Sequence, residues 1–159
     1  MKAAVITVSD GCFAGAKRDV SGPALARMLS EAGWQVLGIN LTPDETDAIR
    51  AEVGKAISGG ADLVVLTGGT GISPRDVTPE AVRPMLDKEL PGVSELMRLR
   101  GLEQTERAAL SRSLAGSVGR SLVVCLPGSV KGAVSSLTAI LSLLPHAVDL
   151  LHGRTSHGN

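Results

Sequence analysis

LVVLTGGTGISPRDVTPEA, residues 63–81, joins an apolar run to a helix-start signal through a turn rich in glycine. Leu63 to Leu66 reads as the end of a buried strand, and Thr78-Pro79-Glu80 as the start of a helix, with Thr78 the expected cap and Pro79 in the first helical position. Gly68, Gly69 and Gly71 fill the turn between them. Glycine permits positive φ and lets another molecule approach bare backbone. Such a turn offers amide N–H groups that neither strand nor helix has used, an array suited to phosphate or another anion. Thr70 lies within it, and Arg75 and Asp76 add a cation and a carboxylate at the same rim. A tight turn needed only for packing is the plain alternative, but packing does not call for Arg-Asp beside a helix start.

Upstream, Ala3 to Val8 is a β-branched run that stops at Ser9-Asp10-Gly11, as a buried parallel strand does on entering its loop. A long polar loop is expected from Ser9 to Val20. Ser21-Gly22-Pro23 then opens a helix with Leu25, Met28, Leu29 and Ala32 on its apolar face, closed by Gly33. Trp34 to Leu41 reads as a second strand with Leu37, Ile39 and Leu41 on one face. After Thr42-Pro43-Asp44-Glu45, the spacing of Ile49, Val53 and Ile57 predicts a second helix that Gly59-Gly60 stops. The order β-α-β-α-β implies parallel strands with right-handed crossovers, all ending on the edge where open α/β sheets place their ligands. Ser9, Asp10, Asp44 and the glycine loop share that edge.

Downstream, Pro84 is expected to kink or end the helix that begins near Thr78, and short helices are expected at Glu95–Arg100 and Thr105–Ser111. Ser113 to Gly119 and Ser121 to Leu126 read as neighbouring strands that add an antiparallel element, the second apolar enough to be central. Pro127 to Gly132 is a second strand-to-helix loop. Val134, Leu137, Leu141 and Leu144 predict the face of the helix that follows, with Pro145 ending it and Ala147 to Leu151 making a last turn. No repeat or linker divides the chain, so one domain is expected over residues 1–152, with a frayed polar tail at 153–159.

Composition narrows the classes. Apolar residues make up 43% of 159 and aromatics 1%, so the core must be built from Ala, Val, Leu and Ile in helix-on-sheet layers. Sixteen basic and sixteen acidic residues cancel. With neither a net positive field nor stacking aromatics, nucleic acid is not an expected partner. Nor is a membrane, since no apolar run reaches the ~20 residues of a spanning helix. The N-terminus lacks the pattern of a signal peptide, and a cytoplasmic location is the expectation. Cys12 and Cys125 have no metal-ligand spacing. His146, His152 and His157 crowd the C-terminus and read as surface or tail residues.

Two glycine loops, Asp10, Asp44, Asp76, Arg75, Lys131 and the Ser111-Arg112 pair therefore converge on one rim. Carboxylates beside amide-rich loops suit a divalent metal that bridges them to phosphate oxygens. No Walker-type GxxxxGK[ST], GxGxxG or GxSxG motif is present. A role for Asp44 as the cap of the second helix is the competing assignment.

The chain resembles the molybdenum cofactor biosynthesis proteins of the MogA/MoaB type, a domain also found in gephyrin. The likeness rests on SDGCFAGAKRDVSGPAL from Ser9, PDE at Asp44, TGGTGISPRDVTPEA from Thr67, LPG at Leu90, LSRS at Leu110 and LPGSVKG at Leu126. It implies a three-layer α/β/α sandwich with a mostly parallel sheet. It also implies a molybdopterin adenylyltransferase: the terminal phosphate of molybdopterin attacks the α-phosphorus of ATP, and pyrophosphate leaves with the help of Mg²⁺. Carried over by motif, the metal-binding and catalytic carboxylates are Asp44 and Asp76. Substrate contacts fall on Ser9, Asp10, Gly68, Gly69, Thr70, Gly71, Arg75, Thr78, Ser111, Arg112, Pro127, Gly128, Ser129 and Lys131. Many relatives have PGxP where this chain has Pro127-Gly128-Ser129-Val130, so a differently shaped loop is expected. A non-catalytic molybdopterin carrier of the MoaB type is the alternative reading, and an interaction domain without a site is a third. The resemblance further implies a homotrimer and, as a partner, the molybdenum-inserting enzyme of the same pathway. The apolar residues Val93, Leu96, Met97, Leu99 and Leu102 in the Pro91–Ala109 segment fit such an interface.

Overall fold

The computed structural model describes residues 1–154. The strands are β1 (Lys2–Val8), β2 (Gln35–Thr42), β3 (Leu63–Thr67), β4 (Lys88–Glu89), β5 (Leu114–Val118) and β6 (Ser121–Leu126). The helices are α1 (Asp10–Phe13), α2 (Ser21–Glu31), α3 (Thr46–Ser58), α4 (Thr78–Val82), α5 (Pro91–Leu102), α6 (Val130–Ile140) and α7 (Leu144–Leu151). Short 3-10 turns follow α4 at Arg83–Met85 and α5 at Glu106–Leu110. No single helix among these residues is long and apolar enough to cross a membrane.

One six-stranded sheet runs β2-β1-β3-β6-β5-β4. The pairs β1–β2, β1–β3 and β3–β6 are parallel, while β5 is antiparallel to both of its neighbours. Every residue of β3 and β6 is buried, as continuous Val/Leu runs in central strands require. Alternate residues feed two cores. Ala3, Val5, Leu63, Val65, Val124 and Leu126 face α2, α5, α6 and α7, whereas Ile6, Val8, Val64, Leu66 and Cys125 face α3 and α4. The layers are therefore helix, sheet, helix, and the mostly parallel sheet with its antiparallel edge matches the expectation.

Several local expectations differ. The polar loop after β1 is not wholly irregular: Ser9 caps the one-turn helix α1, and Asp19 Oδ1 accepts from the Gly22 amide at 3.0 Å, capping α2 from two residues upstream. β2 is an edge strand, and its alternating Leu37, Ile39 and Leu41 are 42%, 40% and 40% exposed. Thr78 is not a cap. Val77 occupies that position, and the buried Thr78 hydroxyl donates to the Gly68 carbonyl at 2.8 Å. α5 starts at Pro91 and runs through Gly101 to Leu102, and the Thr105–Ser111 helix is a 3-10 turn. α6 starts at Val130 and ends at Ile140, so Pro145 does not stop it but sits in the first turn of α7. β4 has no signal in its two charged residues. Most of the expected tail lies outside the described residues.

Because β1, β3 and β6 end side by side, their loops collide at the sheet edge. Gly68 N–H donates to Leu126 O at 3.2 Å, and Thr67 Oγ1 donates to Pro127 O at 2.7 Å. Gly68 has φ 109°, and a Cβ there would penetrate the Val8 carbonyl. Gly68→Ala therefore combines left-handed strain with a backbone clash, and about 2–5 kcal/mol of stability should be lost. Urea unfolding measures this, and a loss under about 1 kcal/mol would contradict the packing described.

Candidate functional site

The rim of the site is tied together by one aspartate. Asp10 N–H donates to Asp44 Oδ2 at 2.8 Å and Asp44 N–H donates to Asp10 Oδ1 at 3.0 Å, so the loops after β1 and β2 hold each other reciprocally. Arg75 reaches across from the glycine loop, its Nε and Nη2 donating to the two Asp10 oxygens at 2.9 and 3.0 Å. Asp44 is thus not the cap of α3; Glu45 stands at that position and makes no capping bond through its side chain.

The two rim carboxylates are driven in opposite directions. The Asp44 amide holds the Asp10 carboxyl below the usual range, aided by Arg75 and opposed by partial desolvation. Burial pushes the Asp44 carboxyl up; the negative charges of Asp10 and Asp76 add to that, while the Asp10 amide and Arg75 oppose it. Three carboxylates facing one arginine make a site short of positive charge.

Asp44 and Asp76 flank the glycine loop. Gly69, at φ 62°, is held so close that a Cβ would lie 3.1 Å from Asp44 Oδ1, and a Cβ on Gly71 would lie 2.9 Å from Asp76 Oδ2. Asp76 Oδ2 also accepts from the Ser73 amide at 2.8 Å, which closes the turn between them. The loop is strapped from outside by Arg112. Its Nε donates to Gly71 O at 2.7 Å, its Nη2 to Asp76 O at 2.6 Å, its Nη1 to Glu80, and its own amide to Thr70 O at 2.8 Å. Arg112, expected among the substrate contacts, thus directs two side-chain donors to the loop and one to Glu80, and so holds the loop in place.

A cleft of about 520 Å³ opens beside this loop. Of the residues singled out in the sequence, Gly69, Thr70, Gly71, Asp76, Ser111, Pro127, Gly128, Ser129 and Lys131 line it. Ser9, Asp10, Asp44, Gly68, Arg75, Thr78 and Arg112 do not; they form the rim and the support behind it. The N-terminus of α6 faces the cleft, with Ser129 Oγ accepting from Gly132 N–H at 3.2 Å and Lys131 in the first turn. That arrangement favours an anion. Ser129 is therefore a helix cap, and Val130, the residue that departs from the PGxP pattern, is the first residue of α6.

The far wall was not read from the sequence. Met97, Arg98, Gly101, Gln104, Thr105, Arg107, Ala108 and Leu110 from α5 and the 3-10 turn roof the cleft, and Ser135 and Ser136 of α6 complete its floor. Gln104 Nε2 donates to Ser135 Oγ at 2.7 Å across it. The Pro91–Ala109 segment is thus partly a roof over its own domain: Met97 is buried, while Leu96, Leu99 and Leu102 stay exposed. Among the described residues, no group of three His, Cys, Asp or Glu side chains forms a ready-made metal cage. Cys125 is buried with its thiol pushed up to about 12 by desolvation, and it takes no part in the site.

An open α/β sheet that presents amide-rich loops, a helix N-terminus and paired carboxylates at one edge defines a domain for small phosphorylated ligands. The chain belongs to the family described as "probable molybdopterin binding domain", whose profile matches residues 4–146. It is 47% identical over 92% of its length to the molybdenum cofactor synthesis protein cinnamon of Drosophila melanogaster, of which it spans only 25%. It is 40% identical to the molybdopterin adenylyltransferase of Helicobacter pylori strain J99, covering 94% of this chain and 86% of that protein. The solved structure of the molybdopterin biosynthesis enzyme MoaB from Thermus thermophilus superposes with a TM-score of 0.89 at 46% identity, covering 96% of each chain.

The opposed carboxylates set a test by pH. A carboxyl raised on folding contributes stability that is present below its unfolded pKa and is lost as pH rises through the folded one; for lowered Asp10 the slope is reversed. Asp44→Asn keeps the acceptor for the Asp10 amide but removes the desolvated charge. In chelator-treated protein it should raise the melting temperature at neutral pH, and the gain should vanish below the ordinary aspartate pKa of about 3.9. A gain that persisted in acid would refute this account of Asp44.

Proposed function

We propose that this chain transfers AMP from ATP to molybdopterin. An oxygen of the molybdopterin terminal phosphate attacks the α-phosphorus of ATP, a new P–O bond forms, the bond to the β-phosphate oxygen breaks, and pyrophosphate departs. The observation that carries the reading is the placement of Asp44 and Asp76 against Gly69 and Gly71, at the mouth of a cleft that ends on the α6 N-terminus and Lys131. Anionic groups would be cradled by loop amides and Lys131, and their approach aligned by a loop that Arg112 holds rigid. The rim's surplus of carboxylates fits a divalent cation such as Mg²⁺, with Asp44 and Asp76 as the residues to hold it. When bound, that ion would neutralise phosphate charge and stabilise the leaving pyrophosphate.

A carrier that only binds molybdopterin has no use for a desolvated carboxylate beside the phosphate loop. Purified protein given molybdopterin, ATP and Mg²⁺ should form adenylylated product. Asp76→Asn should lower kcat by about 100- to 1,000-fold with the fold intact, the equivalent of several kcal/mol of lost charge stabilisation. Product absent from the wild-type reaction would favour the carrier, and a variant rate equal to that of an active wild type would refute the role given to Asp76.

The chain is also proposed to act as a cytoplasmic homotrimer, with the molybdenum-inserting enzyme of the same pathway as a partner. Support for assembly comes from two exposed apolar areas: Leu37, Ile39 and Leu41 on the unpaired edge of β2, and Leu96, Leu99 and Leu102 on α5. Light scattering at micromolar concentration should give three times the 16.3 kDa of one chain. A mass that stayed at one chain as concentration rose would exclude it.

A further inference from the structure

Behind the cleft lies a second cavity of about 290 Å³, bounded by α5 on one side and by Ser111-Arg112-Ser113 on the other. Pro91, Ser94 and Arg98 recur at i, i+3 and i+7 and so present one stripe of α5 to it. Its wall holds three cations and one anion. The anion, Glu89, is already engaged, since both of its oxygens accept from Arg83 at 3.2 Å. Arg112 is committed to the glycine loop and to Glu80. Arg98 differs: among the described residues it meets no carboxylate, and its contact is a long one, Nη1 to Ser113 O at 3.4 Å. A guanidinium carries five N–H donors, so most of Arg98's capacity is unspent.

Ser94 is the second independent sign. It is 4% exposed, and its Oγ is the one buried side-chain polar atom among the described residues that has no hydrogen-bond partner. An unsatisfied buried hydroxyl is destabilising, and an acceptor in the adjoining cavity would relieve it. Ser111 and Ser113 add hydroxyls, 2.8 Å apart, that satisfy each other with a proton to spare. The cavity is therefore rich in donors and positive charge, and poor in acceptors. Its volume admits a phosphate or a pyrophosphate, but lies at the low end for a nucleotide site.

We propose that this cavity is an oxyanion site of the phosphate class, with Arg98 and Ser94 as its principal ligands, distinct from the cleft floored by α6 although Arg98, Ser111 and Ser113 border both. Its occupant is either free inorganic phosphate or pyrophosphate; only the second source rests on the activity proposed above. The test needs neither ATP nor molybdopterin. Phosphate and pyrophosphate are titrated calorimetrically into protein carrying Lys131→Ala, which removes the competing cation of the main cleft, with and without Ser94→Ala.

Ser94→Ala should weaken oxyanion binding about tenfold, the range for a hydrogen bond to a charged group, while raising the melting temperature in phosphate-free buffer. Arg98→Gln should weaken it further. A loss confined to pyrophosphate identifies the product as occupant; a loss for both identifies phosphate. Absence of binding in the Lys131→Ala protein, or affinities unaffected by Ser94→Ala and Arg98→Gln, would overturn the proposal, whatever the adenylyl transfer assay gives.

Discussion

The close approach of three strand ends at Gly68 governs this molecule. No side chain larger than hydrogen fits between that residue and the Val8 carbonyl, and Gly128 lies so near that a Cβ on it would be 3.1 Å from Gly68 Cα. Strands β1, β3 and β6 can therefore finish level with one another, and their loops leave the sheet from almost a single point. Everything the site uses follows from that crowding. The loop after β3 closes on itself through Asp76 N–H to Ser73 O and Thr78 N–H to Gly69 O, the aspartates after β1 and β2 exchange hydrogen bonds, and Arg112 holds the loop from outside.

Around that point the chain separates cohesion from chemistry. The two cores are assembled almost wholly from aliphatic residues, with Trp34 their one aromatic, whereas the rim and its support carry Asp10, Asp44, Arg75 and Arg112 beside Ser9, Thr78 and loop backbone. Packing a sheet with Val and Leu and helices with Ala and Leu permits the short helix-to-sheet distances that bring α3 and α6 to the same edge. Rim charges then sit at the end of the layers, where water reaches most of them; Asp44 is the exception, and its raised carboxyl records the desolvation.

How much of this could be read in advance depended on the range of the interaction. The strand runs, the glycine stops at Gly33 and Gly59-Gly60, and the shared edge all follow from local patterns, and they hold. Leu37, Ile39 and Leu41 alternate as strand residues should, yet alternation does not say whether a strand is central, and β2 is not. Thr78 has the composition of a cap but is needed by the Gly68 carbonyl ten residues earlier. Pro145 fits the end of one helix and the first turn of the next equally well, and the break at Leu141 to Leu143 has no glycine to announce it. The helical turns of the roof were legible, but not their place over the cleft, because their partners on α6 lie some thirty residues on, as with Gln104 and Ser135.

The sheet order also dictates a sequence of assembly. β3 pairs on one side with β1 and on the other with β6, and Thr67 bonds to Pro127, 60 residues later. A nascent chain that has completed its first three strands thus carries a largely apolar strand with one bare edge, and its ligand loop lacks both the arginine strap and the roof. Only when the last third emerges does β6 slot between β3 and β5 and close that edge. Ligand-binding capacity is for this reason a property of the finished chain, acquired at the same moment as protection from aggregation.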